Sequence, residues 1–314
     1  MVNGNPLSSR IDPIFKLKTP ILFGHRGGVL EAPESTVKAF VHAMEAARVD
    51  VLELDVQLTR DGRFVVWHGP DLNNVRIQGV DDRPSRRERN KIYDYDWAEL
   101  GGKAWVADPA VKGLDVNQID LSDVPKEEDR SLLLFDDFLK KFSYSPLNIE
   151  IKESFNRHIN DHDRKGLKDN IRAFSDILNA DAGNRVKVVV SSNDSYIDEF
   201  RDQNGEKYPT GLSTKEQLIL HFLGMKMKNR ALETVHSRLF TTREVVERVR
   251  DAGGATFVFL TEFGMLFPAL DEHEPSEKDI FEILDRGVDG IMTDRPKSVR
   301  DIMDRWIAAN KPTS

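Results

Sequence analysis

Apolar and polar residues alternate most cleanly over residues 147–152. Leu147, Ile149 and Ile151 fall on one side, and Asn148, Glu150 and Lys152 on the other. That is the period of a β-strand with distinct faces. The same alternation runs through residues 51–56, with Leu52, Leu54 and Val56 opposite Glu53 and Asp55. Apolar runs at residues 21–23, 64–68, 186–190, 256–260 and 287–294 predict further strands, and residues 210–212 a weaker one. Between them the period lengthens to that of a helix. Val37, Phe40, Met44 and Ala47 form one stripe behind Ser35 or Thr36, either of which is a good helix N-cap. Residues 132–142 and 171–178 also read as helices, as does the stretch carrying Glu244, Val245, Val249 and Ala252, which Gly253-Gly254 stops. A last helix places Val299, Ile302, Met303, Trp306 and Ile307 on one face, whereas residues 214–240 show no clear period.

Strands alternating with helices argue for a parallel sheet covered by helices. About eight strands fit, so the expected fold is a (β/α)8 TIM-type barrel rather than an open doubly wound sheet. No dinucleotide-type glycine pattern follows the first strand. Thr59-Arg60-Asp61-Gly62 is a hairpin-type turn signal before the strand at 64–68. The charged, weakly periodic segment from about 69 to 130 then reads as a small insertion after the third strand. It carries Arg83, Arg86, Arg87, Arg89 and Lys91, expected to form a solvated surface, with lipid headgroup contact as the alternative. The expected organisation is a lead-in at 1–20, the barrel at 21–307 and a tail at 308–314.

Composition narrows the class. At 314 residues with 39% hydrophobic and 31% charged residues, the chain has the profile of a globular protein large enough for one such barrel. The formal charge of −8 argues against a nucleic-acid partner. With no cysteine there is no disulfide and no thiolate chemistry, as in a reducing compartment. No apolar run approaches a membrane span, so no stable membrane insertion is expected. The first twenty residues lack the apolar core of a secretory signal. A cytoplasmic location follows, unless a signal was removed before Met1. The oligomeric state is not legible.

In a barrel of this kind, catalytic residues gather at the C-terminal ends of the strands. Here those ends carry His25 and Arg26, then Glu53 and Asp55, then His68, then Glu150 and Lys152. Taken singly, the acids fit a half-exposed strand, and each histidine fits a structural or surface role. Together on successive strands they suit metal-assisted attack on an anionic substrate. Glu53, Asp55 and Glu150 would hold a hard divalent cation, Mg²⁺ or Ca²⁺, and Arg26 and Lys152 would neutralise phosphate oxygens. His25 and His68 would exchange protons as an acid/base pair near neutral pH. This is equipment for phosphodiester cleavage.

His25-Arg26-Gly27, Pro33-Glu34-Ser35-Thr36, Glu53-Leu54-Asp55, Thr59-Arg60-Asp61-Gly62, His68, Glu150-Ile151-Lys152 and residues 289–296 resemble the glycerophosphodiester phosphodiesterase family in order and spacing. The resemblance runs from about residue 21 to 307. It implies a TIM-type barrel, a divalent cation, and a reaction that releases an alcohol and glycerol 3-phosphate. Carried over by motif, His25 and His68 are catalytic, Glu53, Asp55 and Glu150 hold the metal, and Arg26 and Lys152 contact phosphate. Glu34 matches a family glutamate near the site, and Phe259 retains an aromatic wall beside the substrate. Departures fall on the substrate side: Ser35 stands where Asn is common, Gly69-Pro70-Asp71 follows His68, Asn74 takes a place often held by Arg, and Phe259-Leu260-Thr261-Glu262 replaces a Trp-Thr-Val-Asn motif. The nearest rival is a lysophospholipase D or sphingomyelinase D-like enzyme on the same barrel. The Pro33–Thr36 and Thr293–Pro296 motifs and the lack of cysteine favour the small glycerophosphodiester. A metal-dependent aldolase would not need His25, Arg26 and Lys152 together, and a noncatalytic phosphate binder would not need both histidines with all three acids.

Overall fold

The computed structural model describes residues 10–79, 90–108, 124–156, 165–222, 226–235, 241–260 and 276–310. Among the described residues twelve strands appear in chain order: β1 (Ile21–Gly24), β2 (Val51–Leu58), β3 (Phe64–Val66), β4 (Val75–Ile77), β5 (Ala104–Val106) and β6 (Leu133–Leu134), then β7 (Leu147–Ile151), β8 (Lys187–Val190), β9 (Thr210–Gly211), β10 (Arg230–Val235), β11 (Ala255–Leu260) and β12 (Gly290–Thr293). Helices α1 (Val37–Val41), α2 (Trp97–Leu100), α3 (Phe135–Lys141), α4 (Lys165–Ala180) and α5 (Asp194–Asn204) precede α6 (Thr214–Phe222), α7 (Arg243–Asp251), α8 (Glu277–Asp285) and α9 (Pro296–Ala309). Eight strands close a parallel barrel in the order β1, β2, β7, β8, β9, β10, β11, β12, with β12 back beside β1. This is the expected (β/α)8 architecture. Among the described residues no helix is long and apolar enough to cross a membrane.

The period-2 pattern explains the two faces of the barrel wall. Leu52, Leu54, Val56, Leu147, Ile149 and Ile151 pack outward against Phe40, Phe138, Phe142 and Phe174 of the surrounding helices. The alternate residues point into the barrel. Its lower interior is apolar, built from Ile21, Phe23, Val51, Val188, Ala231 and Phe257. Gly290 is required there, because a Cβ at that position would lie 2.8 Å from the Phe23 ring and 2.9 Å from the Ile21 carbonyl. The described part of the lead-in, residues 10–20, forms the barrel floor. Ile11 bridges to Lys18, Asp12 accepts the Ile14 and Phe15 amides, and the Phe15 ring sits 5.5 Å from Phe23 and 5.7 Å from Phe257. Arg10 pairs with buried Asp289, which also accepts the Thr256 amide at 2.9 Å. Asp289 therefore belongs to the floor, away from the catalytic end.

Several expectations are corrected. The strand expected at 64–68 is β3, and it runs antiparallel to β2, with Val56 opposite Val66. It lies outside the closed barrel, so the insertion follows the third strand of the chain but interrupts the barrel after its second strand. Leu133–Leu134, assigned to a helix by its apolar spacing, pairs with β3 instead, and the helix starts at Phe135. Of the two cap candidates, Thr36 caps α1, as that expectation allowed, by accepting the Ala39 amide at 3.3 Å, while Ser35 turns the chain at a φ of 60°. A wider turn at residues 42–46 ends that helix and rotates Ala43 inward in place of Met44, which is exposed. Residues 214–240 supply α6 and β10, and α5 and α8 occupy stretches where the sequence suggested no element. The described part of the insertion is folded: β4 and β5 pair, and Leu72, Val75, Ile77, Ile92, Tyr95, Leu100 and Val106 form its own core against Trp67. Lys91 pairs with Asp71 at 2.6 Å, whereas Arg83, Arg86, Arg87 and Arg89 lie outside the described residues.

Candidate active site

The C-terminal ends of β1, β2, β7 and β12 bring the expected groups into one mouth. Gly24 ends β1, and the chain turns through His25, Arg26 and Gly27. Arg26 adopts a φ of 50°, uncommon for a residue with a side chain, and Gly27 follows at 81°. A Cβ at Gly27 would lie 2.7 Å from Ala39, so the turn can press against α1 only with glycine there. This strained turn aims the Arg26 amide at Glu53 Oε2, 2.8 Å away, and its guanidinium at Glu34 (3.0 Å) and Asp55 (3.2 Å).

Glu53, Asp55 and Glu150 each present one oxygen, and the three oxygens lie within 4.8 Å of one another. The register explains this, because Asp55 pairs with Glu150 across adjacent strands. Glu53 and Asp55 are buried, and both Asp55 oxygens accept no hydrogen bond, although Lys152 Nζ stands 3.0 Å from one of them. Lys152 Nζ also lies 2.9 Å from Glu150. Burial opposes the charge on Asp55, yet Lys152 and Arg26 outweigh it and hold the carboxyl well below the usual carboxylate range. Burial, followed by the charge of Asp55, pushes Glu53 well above that range in spite of Arg26. Burial likewise opposes the charge on Lys152, but Asp55 and Glu150 hold its pKa above the ordinary lysine value. Three converging carboxylate oxygens, with one acid left without hydrogen bonds, fit a hard divalent cation such as Mg²⁺ or Ca²⁺.

The histidines flank this cluster. His25 Nδ1 is 2.5 Å from Asp294 Oδ1, Nε2 is 3.9 Å from Glu53 Oε2, and the ring packs on Phe259 at 4.3 Å between centroids. His68 stands two residues beyond β3, at the far end of the β2–β3 hairpin and not on a barrel strand. It reaches the site because Gln57, buried on β2, donates to the His68 carbonyl at 3.0 Å while accepting the Ser154 amide at 3.3 Å. Burial pushes the His68 imidazole down to about 4, with Asp55 opposing and Arg26 and Lys152 adding to the fall. Asn74 of the insertion donates to Glu34 at 3.3 Å, tying that segment to Arg26.

All nine residues singled out by the sequence thus gather at one end of the barrel. Four neighbours were missed. Asp294 lies inside the 289–296 motif, and closure of the barrel makes that last strand the neighbour of the first. Gln57 follows the alternation of Glu53 and Asp55, which signals an inward position. Asn148 is one more polar residue of an alternating strand, and Glu233 lies in the stretch without a clear period. Asn148 Nδ2 donates to Glu233 at 3.0 Å inside the barrel. Glu262 lies outside the described residues.

The profile of the glycerophosphoryl diester phosphodiesterase family matches residues 25–298. The chain belongs to this family. Members hydrolyse glycerophosphodiesters, so the protein is a phosphodiesterase, and divalent cations serve the family's enzymes. It is 23% identical to mouse lysophospholipase D GDPD3 over 96% of this chain and 86% of that protein. It is 26% identical to human lysophospholipase D GDPD1 over 90% and 86%. Its fold resembles that of a glycerophosphoryl diester phosphodiesterase from Silicibacter pomeroyi, with a TM-score of 0.66, 20% identity and 96% of both chains covered. An Oleispira antarctica phosphodiesterase, solved with the product sn-glycerol-3-phosphate, shares the fold at a TM-score of 0.59 and 17% identity, over 91% of this chain and 97% of that one.

Proposed function

We propose that the protein hydrolyses small glycerophosphodiesters to an alcohol and glycerol 3-phosphate, using His25 and His68 as the acid/base pair. The observation that carries this reading is the convergence of Glu53, Asp55 and Glu150 within 4.8 Å, beside Arg26, Lys152 and His25. Glu53, Asp55 and Glu150 would hold the cation, which when bound supplies Lewis-acid polarisation of the phosphate. Arg26 and Lys152 orient and neutralise the non-bridging oxygens. His68, whose pKa is depressed to about 4, is neutral at pH 7 and accepts the proton of the attacking oxygen. The attacking group is the glycerol hydroxyl beside the ester, which closes a cyclic phosphate that water then opens; its proximity supplies much of the rate. His25 donates to the leaving alcohol, with Asp294 fixing the orientation of its ring. Phe259 and Glu34 border the substrate, the former against His25 and the latter behind Arg26.

Relatives named lysophospholipase D, matched over 90% or more of this chain, favour lysophospholipids as a second substrate class. A panel of glycerophosphodiesters, lysophospholipids and sphingomyelin, incubated with Mg²⁺, Ca²⁺ or chelator, tests both readings by product identity. The proposal expects cation-dependent release of glycerol 3-phosphate, with small diesters cleaved fastest and sphingomyelin slowest. Full activity in excess chelator refutes the metal assignment. Equal rates for a diester and its analogue lacking the hydroxyl beside the ester refute the nucleophile.

A further inference from the structure

We propose that Glu233, oriented by Asn148, forms a polyol subsite that accepts a hydrogen bond from the terminal glycerol hydroxyl of the substrate. This inference rests on the proposed hydrolysis of glycerophosphodiesters and selects the deacylated class among them. Along β10 the burial partners alternate. Ala231 packs with the barrel interior, whereas Leu232 packs outward with Val249 and Met227. Glu233 therefore points inward. Its hydrogen-bond partner Asn148 is the register partner of Glu53, which places Glu233 at the depth of the deepest acid of the cluster. In closure order β2 is second and β10 is sixth of eight, so Glu53 and Glu233 face each other across the barrel axis.

Below this level the interior is shut by Phe23, Phe257 and the Phe15 ring of the lead-in. A substrate whose phosphate lies between Arg26 and Lys152 has two ends, and only a short polar one fits above this plug, at the level of Glu53. That end meets Glu233. Among the described residues Glu233 has no cationic partner, and its hydrogen bond is the one from Asn148 Nδ2. Asn148 is fully buried, and its Oδ1 accepts no hydrogen bond, so the amide is committed to holding the carboxylate. Glu233 itself is only half-buried, which leaves carboxylate surface open to the interior. Burial lifts its pKa to about 7 against the hydrogen bond from Asn148, with Glu150 adding to the rise. Charged or neutral, it keeps an oxygen that accepts a hydrogen bond. A glycerol with its terminal hydroxyl free satisfies that acceptor. A lysophospholipid esterified there offers no donor and would drive an acyl chain against the sealed floor, leaving the polar group desolvated and unpaired.

The test compares kcat/KM for a glycerophosphodiester, its analogue lacking only the terminal hydroxyl, and the lysophospholipid with the same headgroup. In the wild type, losing that hydroxyl should cost on the order of 10- to 100-fold, the range for a hydrogen bond to a charged group. In Glu233→Ala the two diesters should become nearly equal, and the lysophospholipid should gain relative to the parent diester. Glu233→Gln, which keeps an acceptor, should retain intermediate discrimination. The analogue lacking the hydroxyl beside the ester should stay slow in every variant, since that group acts elsewhere. Calorimetric binding of glycerol 3-phosphate and its terminal deoxy analogue, in Ca²⁺, reads the same preference without turnover. If no diester is cleaved, the proposed function fails and the calorimetry still decides the subsite. Unchanged discrimination in Glu233→Ala, or equal binding of the two ligands by the wild type, overturns the proposal.

Discussion

Replacing Glu53 by Gln should separate cation binding from folding. Glu53 is buried, and its Oε2 accepts the Arg26 amide at 2.8 Å, a bond that the Gln carbonyl oxygen can keep. The neighbourhood already favours a proton on Glu53 when no cation is present, because burial and Asp55 raise its pKa well above 4.5. The unfolded chain releases that proton near the ordinary glutamate value of 4.5, whereas the folded protein holds it to higher pH. The stability this proton contributes is complete at low pH and is lost as pH rises through the folded pKa. Gln has no proton to lose, so the chelated variant should hold its stability across that window while the chelated wild type declines. A cation at a hundred times its Kd should stabilise the wild type by about 2.7 kcal/mol. At roughly 2 °C per kcal/mol for a chain of this size, that is a rise of about 5 °C in Tm. The variant, with one of three carboxylates gone, should gain almost nothing. Thermal melts from pH 5 to 8, with chelator or with Ca²⁺ and Mg²⁺, measure both effects. An equal cation-induced rise in the variant, or parallel pH dependence of the two chelated proteins, would refute the assignment of Glu53.

The two histidines should give a bell-shaped pH–rate profile, with the acid limb moved below the ordinary histidine value of 6.5 toward about 4 by the environment of His68. Each single Ala variant should lose on the order of 10²-fold in kcat, and the double variant little more; strictly multiplicative losses would mean unrelated roles. Asp294→Asn removes the carboxylate 2.5 Å from His25 Nδ1 and should lower kcat roughly 10²-fold with little change in KM. Steady-state kinetics showing a raised KM at unchanged kcat would place Asp294 in substrate binding instead. Phe15→Ala removes a ring that is 3% exposed from the barrel floor and should cost about 3–5 kcal/mol in urea unfolding; a loss below 1 kcal/mol would mean that the floor does not depend on it.

The path from sequence to site was clearest where local pattern and barrel topology agree. β1, the glycine turn, α1 and β2 could be read in order because a strand, a cap and a paired acid strand each leave a local signature. The direction of β3 could not, since period 2 is shared by parallel and antiparallel strands. The turn at Thr59–Gly62 held that information: Thr59 and Arg63 bond across it at 3.0 Å, and Gly62 adopts a φ of 76°. Met44 was misplaced because one wide turn shifts the helical phase, which no spacing rule anticipates. β10 escaped because its inward face changes from Ala231 to Glu233 as the interior passes from packed floor to site. Polar residues inside a barrel break the apolar run by which a buried strand is usually found. Asp294 and Glu233 became legible only once closure of the sheet set them opposite their partners.

The site's charge balance explains why cation and substrate would depend on one another. Glu34, Glu53, Asp55, Glu150, Glu233 and Asp294 surround only two permanently cationic side chains among the described residues that reach them, Arg26 and Lys152. Both cations are already engaged, Arg26 with Glu34 and Asp55, and Lys152 with Asp55 and Glu150. An anionic diester entering this mouth meets acids whose countercharges are spent. A divalent cation among the three converging oxygens would take over the neutralisation of Asp55 and Glu150, freeing the Lys152 ammonium and the Arg26 guanidinium to face phosphate. The same side chains would thus serve two states, holding the acids together when the site lacks its cation and turning toward the substrate when it is filled. Each ligand would improve binding of the other, and by linkage the two effects must be equal. The fold can tolerate so acidic a pocket because the strained turn at Arg26 and the strand end at Lys152 supply countercharge from opposite sides of β2.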